Sequence, residues 1–164
     1  MERTSYQASN CSIARTLKIL GEKWTLLIIR ECFYGATRFE QFHRVLNCPR
    51  NLLSERLSLL TSEGILQPSE YREPGSRTRT EYRLTGKGGE LMPILLALLE
   101  WGDRHLADSA GPPVLARHVR CGQGLRLAIT CASGHSAHHP DEVELVAGPG
   151  ALPPLKSIRG RRSR

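Results

Sequence analysis

The chain predicts a mainly α domain with one β-hairpin, a winged helix-turn-helix, followed by a small C-terminal extension that carries Cys and His. Three features between Arg38 and Thr85 predict it. The run FEQFHRVL has the spacing of a short amphipathic helix. The run from Pro49 to Gly64 puts Leu53, Leu57 and Leu60 on one stripe and polar side chains opposite. Two alternating segments, about 65–72 and 79–85, flank Glu73-Pro74-Gly75-Ser76-Arg77-Thr78, where Pro-Gly signals a turn. In that order of elements the second helix suits a major groove, and the hairpin suits the backbone beside it.

The remaining elements follow in sequence. Residues 1–10 read as an N-terminal arm. In SIARTLKIL, Ile13, Leu17 and Leu20 share a face, and Gly21 ends the helix. KWTLLIIRECF is apolar nearly all round and should be the buried centre of the domain. Thr37 suits the N-cap of the next helix, with Glu40 as its capping-box partner. Pro49 fits the first turn of the helix after that. Thr85 caps a long helix to about Leu106, which Pro93 either kinks or starts. Leu91, Ile94, Leu95, Leu98, Leu99 and Trp101 give that helix an apolar face broader than one small domain needs. After Gly111-Pro112-Pro113, residues 114–150 mix Cys, His and Gly with β-like runs (LRLAIT, VELVA). Residues 151–164 form a basic tail.

Composition bounds the function. The 164 residues are 40% hydrophobic, enough for one core and a small appendage. No apolar run reaches membrane-spanning length, and MERTSYQASN has no apolar stretch of the signal-peptide kind. A cytoplasmic protein with no membrane partner is expected. Of the net charge of +7, Lys156, Arg159, Arg161, Arg162 and Arg164 supply five, with no acid from Leu155 onward. Such a tail holds a phosphate backbone without reading sequence, and the same composition describes a solvated end. The layout of elements therefore carries more weight than charge. The five cysteines are an odd number, so reduced thiols are expected rather than a disulfide framework.

Candidate contact residues follow from the chemistry. Arg50, Asn51, Ser54, Glu55 and Ser58 lie on the exposed side of the Leu53–Leu57–Leu60 helix, with Arg56 nearer the packed side. Arg suits guanine, Asn suits adenine and Glu accepts from cytosine. Thr37 and Arg38 flank the first helix of the pair, and Arg77 and Arg79 flank the hairpin turn, where arginines meet phosphate. Cys11 starts the first helix one turn before Arg15. That setting favours a thiolate, although a small inert hydrophobe fits there equally well. Cys48, at the head of the recognition helix, is a second thiol candidate, and Cys32 in the apolar helix should be inert. His118-x2-Cys121 and Cys131-x3-His135 have a four-ligand zinc spacing, but Gly134 stands where a paired CxxC would carry Cys. The pattern describes a zinc site or a degenerate knuckle, and no cofactor is expected. No phosphate-cradling loop and no catalytic triad or carboxylate pair is present, so an enzyme is not expected.

Cys11-Ser12-Ile13-Ala14-Arg15-Thr16-Leu17 and Leu20-Gly21-Glu22-Lys23-Trp24-Thr25-Leu26-Leu27 resemble the opening of the HxlR-type family of bacterial winged-helix regulators. Leu53-Ser54-Glu55-Arg56-Leu57, Glu63-Gly64-Ile65-Leu66, Tyr82-Arg83-Leu84-Thr85-Gly86-Lys87-Gly88 and Trp101 continue the resemblance over 11–106. The resemblance implies a DNA-binding and dimerisation domain over 11–106 and transcriptional control, often repression, of a double-stranded operator. It implies a homodimer built from the first and last helices, here Ile13, Leu17, Leu91, Leu95, Leu98 and Trp101. It also implies redox or electrophile sensing at the position of Cys11 in some members, where Ser12 replaces their usual proline, and it likens 114–150 to a zinc-ribbon-like extension. The effector is not legible. The nearest alternatives are a MarR-like regulator, whose flanking helices are longer, and a winged-helix interaction module, against which the polar face from Arg50 to Ser58 argues.

Overall fold

The computed structural model describes residues 9–75 and 77–153. Most of the expected N-terminal arm and basic tail, and Ser76 of the hairpin turn, lie outside the described residues. The chain forms α1 (Ser12–Leu20), α2 (Lys23–Phe33), α3 (Phe39–Leu46), α4 (Arg50–Ser62), β1 (Leu66–Tyr71), β2 (Arg79–Leu84), α5 (Gly86–Gly89) and α6 (Met92–His105). Short strands β3 (Ile129–Thr130) and β4 (Ser136–Ala137) and one 3-10 turn (Pro140–Glu142) follow. Two compact units result. One is Ile19–Ala128; the other comprises the described parts of Met1–Lys18 and Ile129–Arg164.

The core of the larger unit is the one the periodicity requires. Ile28 and Ile29 of α2, Phe42 and Leu46 of α3, and Leu53, Leu57 and Leu60 of α4 are buried, with Leu20, Cys48, Ile65 and Leu66 around them. Each such side chain contributes roughly 1.5–3 kcal/mol when removed from water. α2 lies at the centre, as its composition predicts, and also buries Glu31, whose carboxylate takes Arg30 Nε at 2.9 Å and Nη2 at 2.5 Å. Asn47 (φ +48) ends α3 in the left-handed region. Gly64 (φ +66) closes α4 in the same way, its N–H donating to the Thr61 carbonyl at 3.0 Å.

β1 and β2 pair antiparallel from Leu66↔Leu84 to Tyr71↔Arg79. Pro68, which has no N–H to give, sits in β1, where no second neighbour needs one. The free side of β2 meets the segment before α3: Arg38 bridges to Glu81, and Tyr82 N–H donates to the Thr37 carbonyl at 2.7 Å. This contact ties the helical pair to the hairpin.

Several expectations need correction. Thr37 does not cap α3, and Glu40 is not a capping partner. The cap residue is Arg38, and the Gln41 side-chain oxygen accepts from Thr37 N at 2.9 Å and Arg38 N at 2.8 Å. Gln41 is three residues beyond Arg38, so the reach-back belongs to it once the helix starts at Phe39. The helix after Thr85 is two helices. Thr85 Oγ1 accepts from Gly88 N at 3.0 Å to cap α5, and Pro93 lies in the first turn of α6. VELVA forms no strand, and within LRLAIT only Ile129–Thr130 does. Cys48 is buried, and that burial raises its thiol pKa despite Lys23 and Arg56 nearby, so it is no thiolate candidate. Cys32 behaves as expected: burial, then the charge of Glu31, pushes it up to about 12.

Candidate nucleic-acid interface

α4 divides cleanly into two faces. Leu53, Leu57 and Leu60 are fully buried, while Arg50, Asn51, Ser54, Glu55 and Ser58 are exposed. Arg56 is mostly covered, as its place near the packed side predicts. Its Nη2 reaches Glu55 Oε1 at 3.2 Å, and its Nε is buried without a hydrogen-bond partner.

The head of α4 faces the hairpin across a groove of about 660 Å³ lined by Phe39, Glu40, Arg50, Tyr71, Tyr82 and the segment Arg77–Thr80. Arg50 is held at one wall. Its Nη1 donates to Glu40 Oε2 at 3.2 Å, its Nη2 donates to Glu40 Oε1, and its Cζ lies 5.0 Å from the centre of the Phe39 ring. This hydrogen bond holds the Glu40 carboxyl below the usual carboxylate range, helped by the charges of Arg50, His43 and Arg79, and raises the pKa of Arg50. Arg77 and Arg79 are exposed at the far wall.

Thr37 and Arg38 have other work. Arg38 Nη1 donates to Glu73 at 2.6 Å, and its Cζ lies 4.3 Å over the Tyr71 ring. Thr37 Oγ1 donates to Glu81 Oε2 at 3.5 Å. Both residues join α3 to the hairpin. Glu40 escaped the sequence reading as a member of this surface, since only the fold brings it against Arg50. Its place ten residues before Arg50, across the turn between two helices, was the available signal.

The expected dimer residues divide into two groups. Leu91 and Leu95 pack on the core of their own chain, whereas Leu98 and Trp101 remain 50% and 57% exposed, as do Ile94 (42%) of the same apolar face and Met92 (45%), which sequence reasoning left out. Ile13 and Leu17 of α1 are exposed as well. Cys11 directly precedes α1, its carbonyl accepting from Arg15 N at 3.0 Å.

The Cys/His candidates fall in different units. His118 Nδ1 lies 3.2 Å from Cys121 Sγ. Cys131 and His135 sit on a tight turn, with Gly134 at φ +83, and backbone amides, His135 first and Ser133 next, lower the Cys131 pKa. Among the described residues, no group of three or more His, Cys, Asp or Glu side chains is placed to hold a metal ion. None of the helices among them is long and apolar enough to cross a membrane.

A polar-faced second helix beside a basic hairpin defines the winged helix-turn-helix class of DNA-binding transcriptional regulators. The sequence model of the HxlR-like helix-turn-helix family matches residues 19–110, and the chain belongs to that family. An uncharacterized HTH-type transcriptional regulator of Mycobacterium tuberculosis is 37% identical over 153 residues, covering 93% of this chain and 96% of that one. Among solved structures, the candidate transcription factor PA1607 is similar at TM-score 0.76 and 30% identity, covering 85% of this chain and 96% of its own. The redox regulator HypR in its oxidized form is similar at TM-score 0.54 and 29% identity, over 60% of this chain and all of its own.

Proposed function

We propose that this regulator is a cytoplasmic homodimeric repressor that reads a double-stranded operator with α4 and steadies itself on the phosphate backbone with the hairpin. The observation that carries the reading is the split of α4 into three fully buried leucines and an exposed face of Asn51, Ser54, Glu55 and Ser58 headed by Arg50. Arg50 supplies two donors for the O6 and N7 acceptors of guanine, Asn51 supplies one donor and one acceptor for the N7 and N6–H of adenine, and Arg77 and Arg79 supply phosphate contacts. Occupation of an operator by a small dimer blocks access to the duplex, which makes repression the simplest output.

The homodimer rests on α6, which has no fully buried residue along its length although its composition is that of a packed helix. A helix of this length is marginal in water without tertiary packing. A second copy supplies packing for the exposed Met92, Ile94, Leu98 and Trp101, and the exposed Ile13 and Leu17 of α1 offer it apolar side chains of their own.

A redox response through Cys11 is a second reading. Its place ahead of α1 and the likeness to HypR favour it.

Selection of duplexes from a random pool by the full chain tests the main reading. An inverted repeat with half-site centres about 34 Å apart, or a multiple of that distance, is expected. A pool that emerges unenriched overturns it. Operator binding before and after oxidation, in the wild type and in Cys11→Ser, tests the second. Unchanged binding by oxidised wild type removes it.

A further inference from the structure

We infer that Glu40 is a specificity-determining residue: it fixes the Arg50 guanidinium at the head of α4, so that Arg50 reads a base edge and is withheld from phosphate. The inference rests on the DNA-reading role proposed for α4.

Three observations converge on Arg50. Both Glu40 carboxylate oxygens engage it, one at Nη1 (3.2 Å) and one at Nη2, so the plane of the guanidinium is set and not only its position. The Phe39 ring lies under it, with 5.0 Å from ring centre to Cζ. Glu40 and Phe39 are neighbours in the first turn of α3, so one rigid turn supplies both restraints.

The chemistry follows from donor counting. A guanidinium has five N–H donors, and the fork to Glu40 uses two. Three remain, and the acceptor pair on the major-groove edge of guanine needs two. An unrestrained Arg in the same place is drawn to whichever phosphate comes nearest, because phosphate contact releases counterions on any sequence. Glu40 cancels that attraction, since an arginine already paired to a carboxylate brings no net charge to the backbone. The pair is exposed, with side-chain exposures of 58% and 54%, so it adds little to folding stability, and its effect lies in orientation. Arg77 and Arg79, across the groove, remain to meet phosphate. The surface thus divides its arginines, one held for a base edge and two left to the backbone.

The test uses the full chain, a duplex selected from a random pool by the wild type, and an unselected duplex, each over a salt series. Glu40→Gln should lower the ratio of selected to unselected affinity on the order of tenfold. It should also tighten binding to unselected DNA and steepen that salt slope by roughly one unit, as Arg50 turns to phosphate. Glu40→Asp keeps the charge and loses the reach, so it should weaken the selected complex without steepening the slope. In Arg50→Ala the ratio should fall as far, and adding Glu40→Gln to it should cost nothing more. An undiminished ratio in Glu40→Gln, or losses that add in the double variant, would overturn the inference while leaving base reading by α4 intact. A wild type that selects no sequence would instead remove base reading itself, and the role of Glu40 with it.

Discussion

Gly88 offers a direct test of how the winged unit is closed. It is buried in α5, and a Cβ built on it would lie 2.3 Å from the Ile65 carbonyl oxygen and 2.9 Å from Leu84 Cδ2. The leucine can swing away, but the carbonyl cannot easily retreat. It already accepts from Thr85 N at 3.1 Å and Thr85 Oγ1 at 3.3 Å, and Ile65 is itself buried. Gly88→Ala must therefore move backbone by about 1 Å, at the roughly 1–3 kcal/mol that overpacking costs. Loosening the Thr85 cap adds about 1 kcal/mol. The better helix propensity of Ala returns about 1 kcal/mol. A net loss of about 2 kcal/mol lowers the melting temperature of a chain this size by roughly 4–8 °C. Gly89→Ala is the internal control: its Cβ would meet nothing within 4 Å, so propensity alone acts and the variant should melt at or above wild type. Thermal melts followed by far-UV circular dichroism measure both. A Gly88→Ala protein melting no lower than wild type would refute the steric argument.

The remaining predictions concern the faces and the thiols. Asn51→Ala should cost on the order of 1–3 kcal/mol on a selected duplex and little on random DNA, whereas Arg77→Ala should weaken both and flatten the salt slope by about one unit. Equal losses on both DNAs for Asn51→Ala would show that it reads no base. Leu98→Glu places a charge at a position already half exposed in the single chain, so it should leave the fold intact and yield monomer by light scattering; a dimeric mass for this variant argues for another interface. Exposed Cys131, its pKa lowered by backbone amides, should label with maleimide near neutral pH before Cys32, which burial holds at about 12. The folded state keeps Cys32 neutral after the unfolded chain has ionised it. That contribution to stability is complete below the ordinary thiol pKa of about 8.5 and is lost as pH rises toward about 12.

The winged unit was legible because its signals are local and periodic. Leu53, Leu57 and Leu60 at helical spacing, the Pro74-Gly75 turn and Gly64 after α4 each specify an element without help from distant residues. What escaped depended on side chains meeting across elements. Arg38 rather than Thr37 caps α3, with Gln41 rather than Glu40 reaching back, because the helix starts two residues after Thr37 and the cap shifts with it. Cys48 looks available at the head of a helix, yet the packing of α3 on α4 buries it. The bridge from Arg38 to Glu81 pairs two segments more than forty residues apart, and nothing in either one announces it. In 114–150 the apolar alternation of VELVA suggested a strand, but Leu145 and Val146 are exposed and those five residues form none. Alternation describes a strand only where a partner strand is present.

That bridge has a consequence for how a duplex would be met. With Tyr82 N–H bonded to the Thr37 carbonyl, and Arg38 clasped between Glu73 and Tyr71, the hairpin stem cannot pivot independently of α3. A hairpin on a loose tether would follow the backbone wherever local sequence carried it. A stem fixed to its helices holds one spacing between α4 and the hairpin, and a bound duplex would have to conform. Bending and groove narrowing would then enter the free energy of the complex, and base pairs beyond the reach of any side chain would be selected for their stiffness.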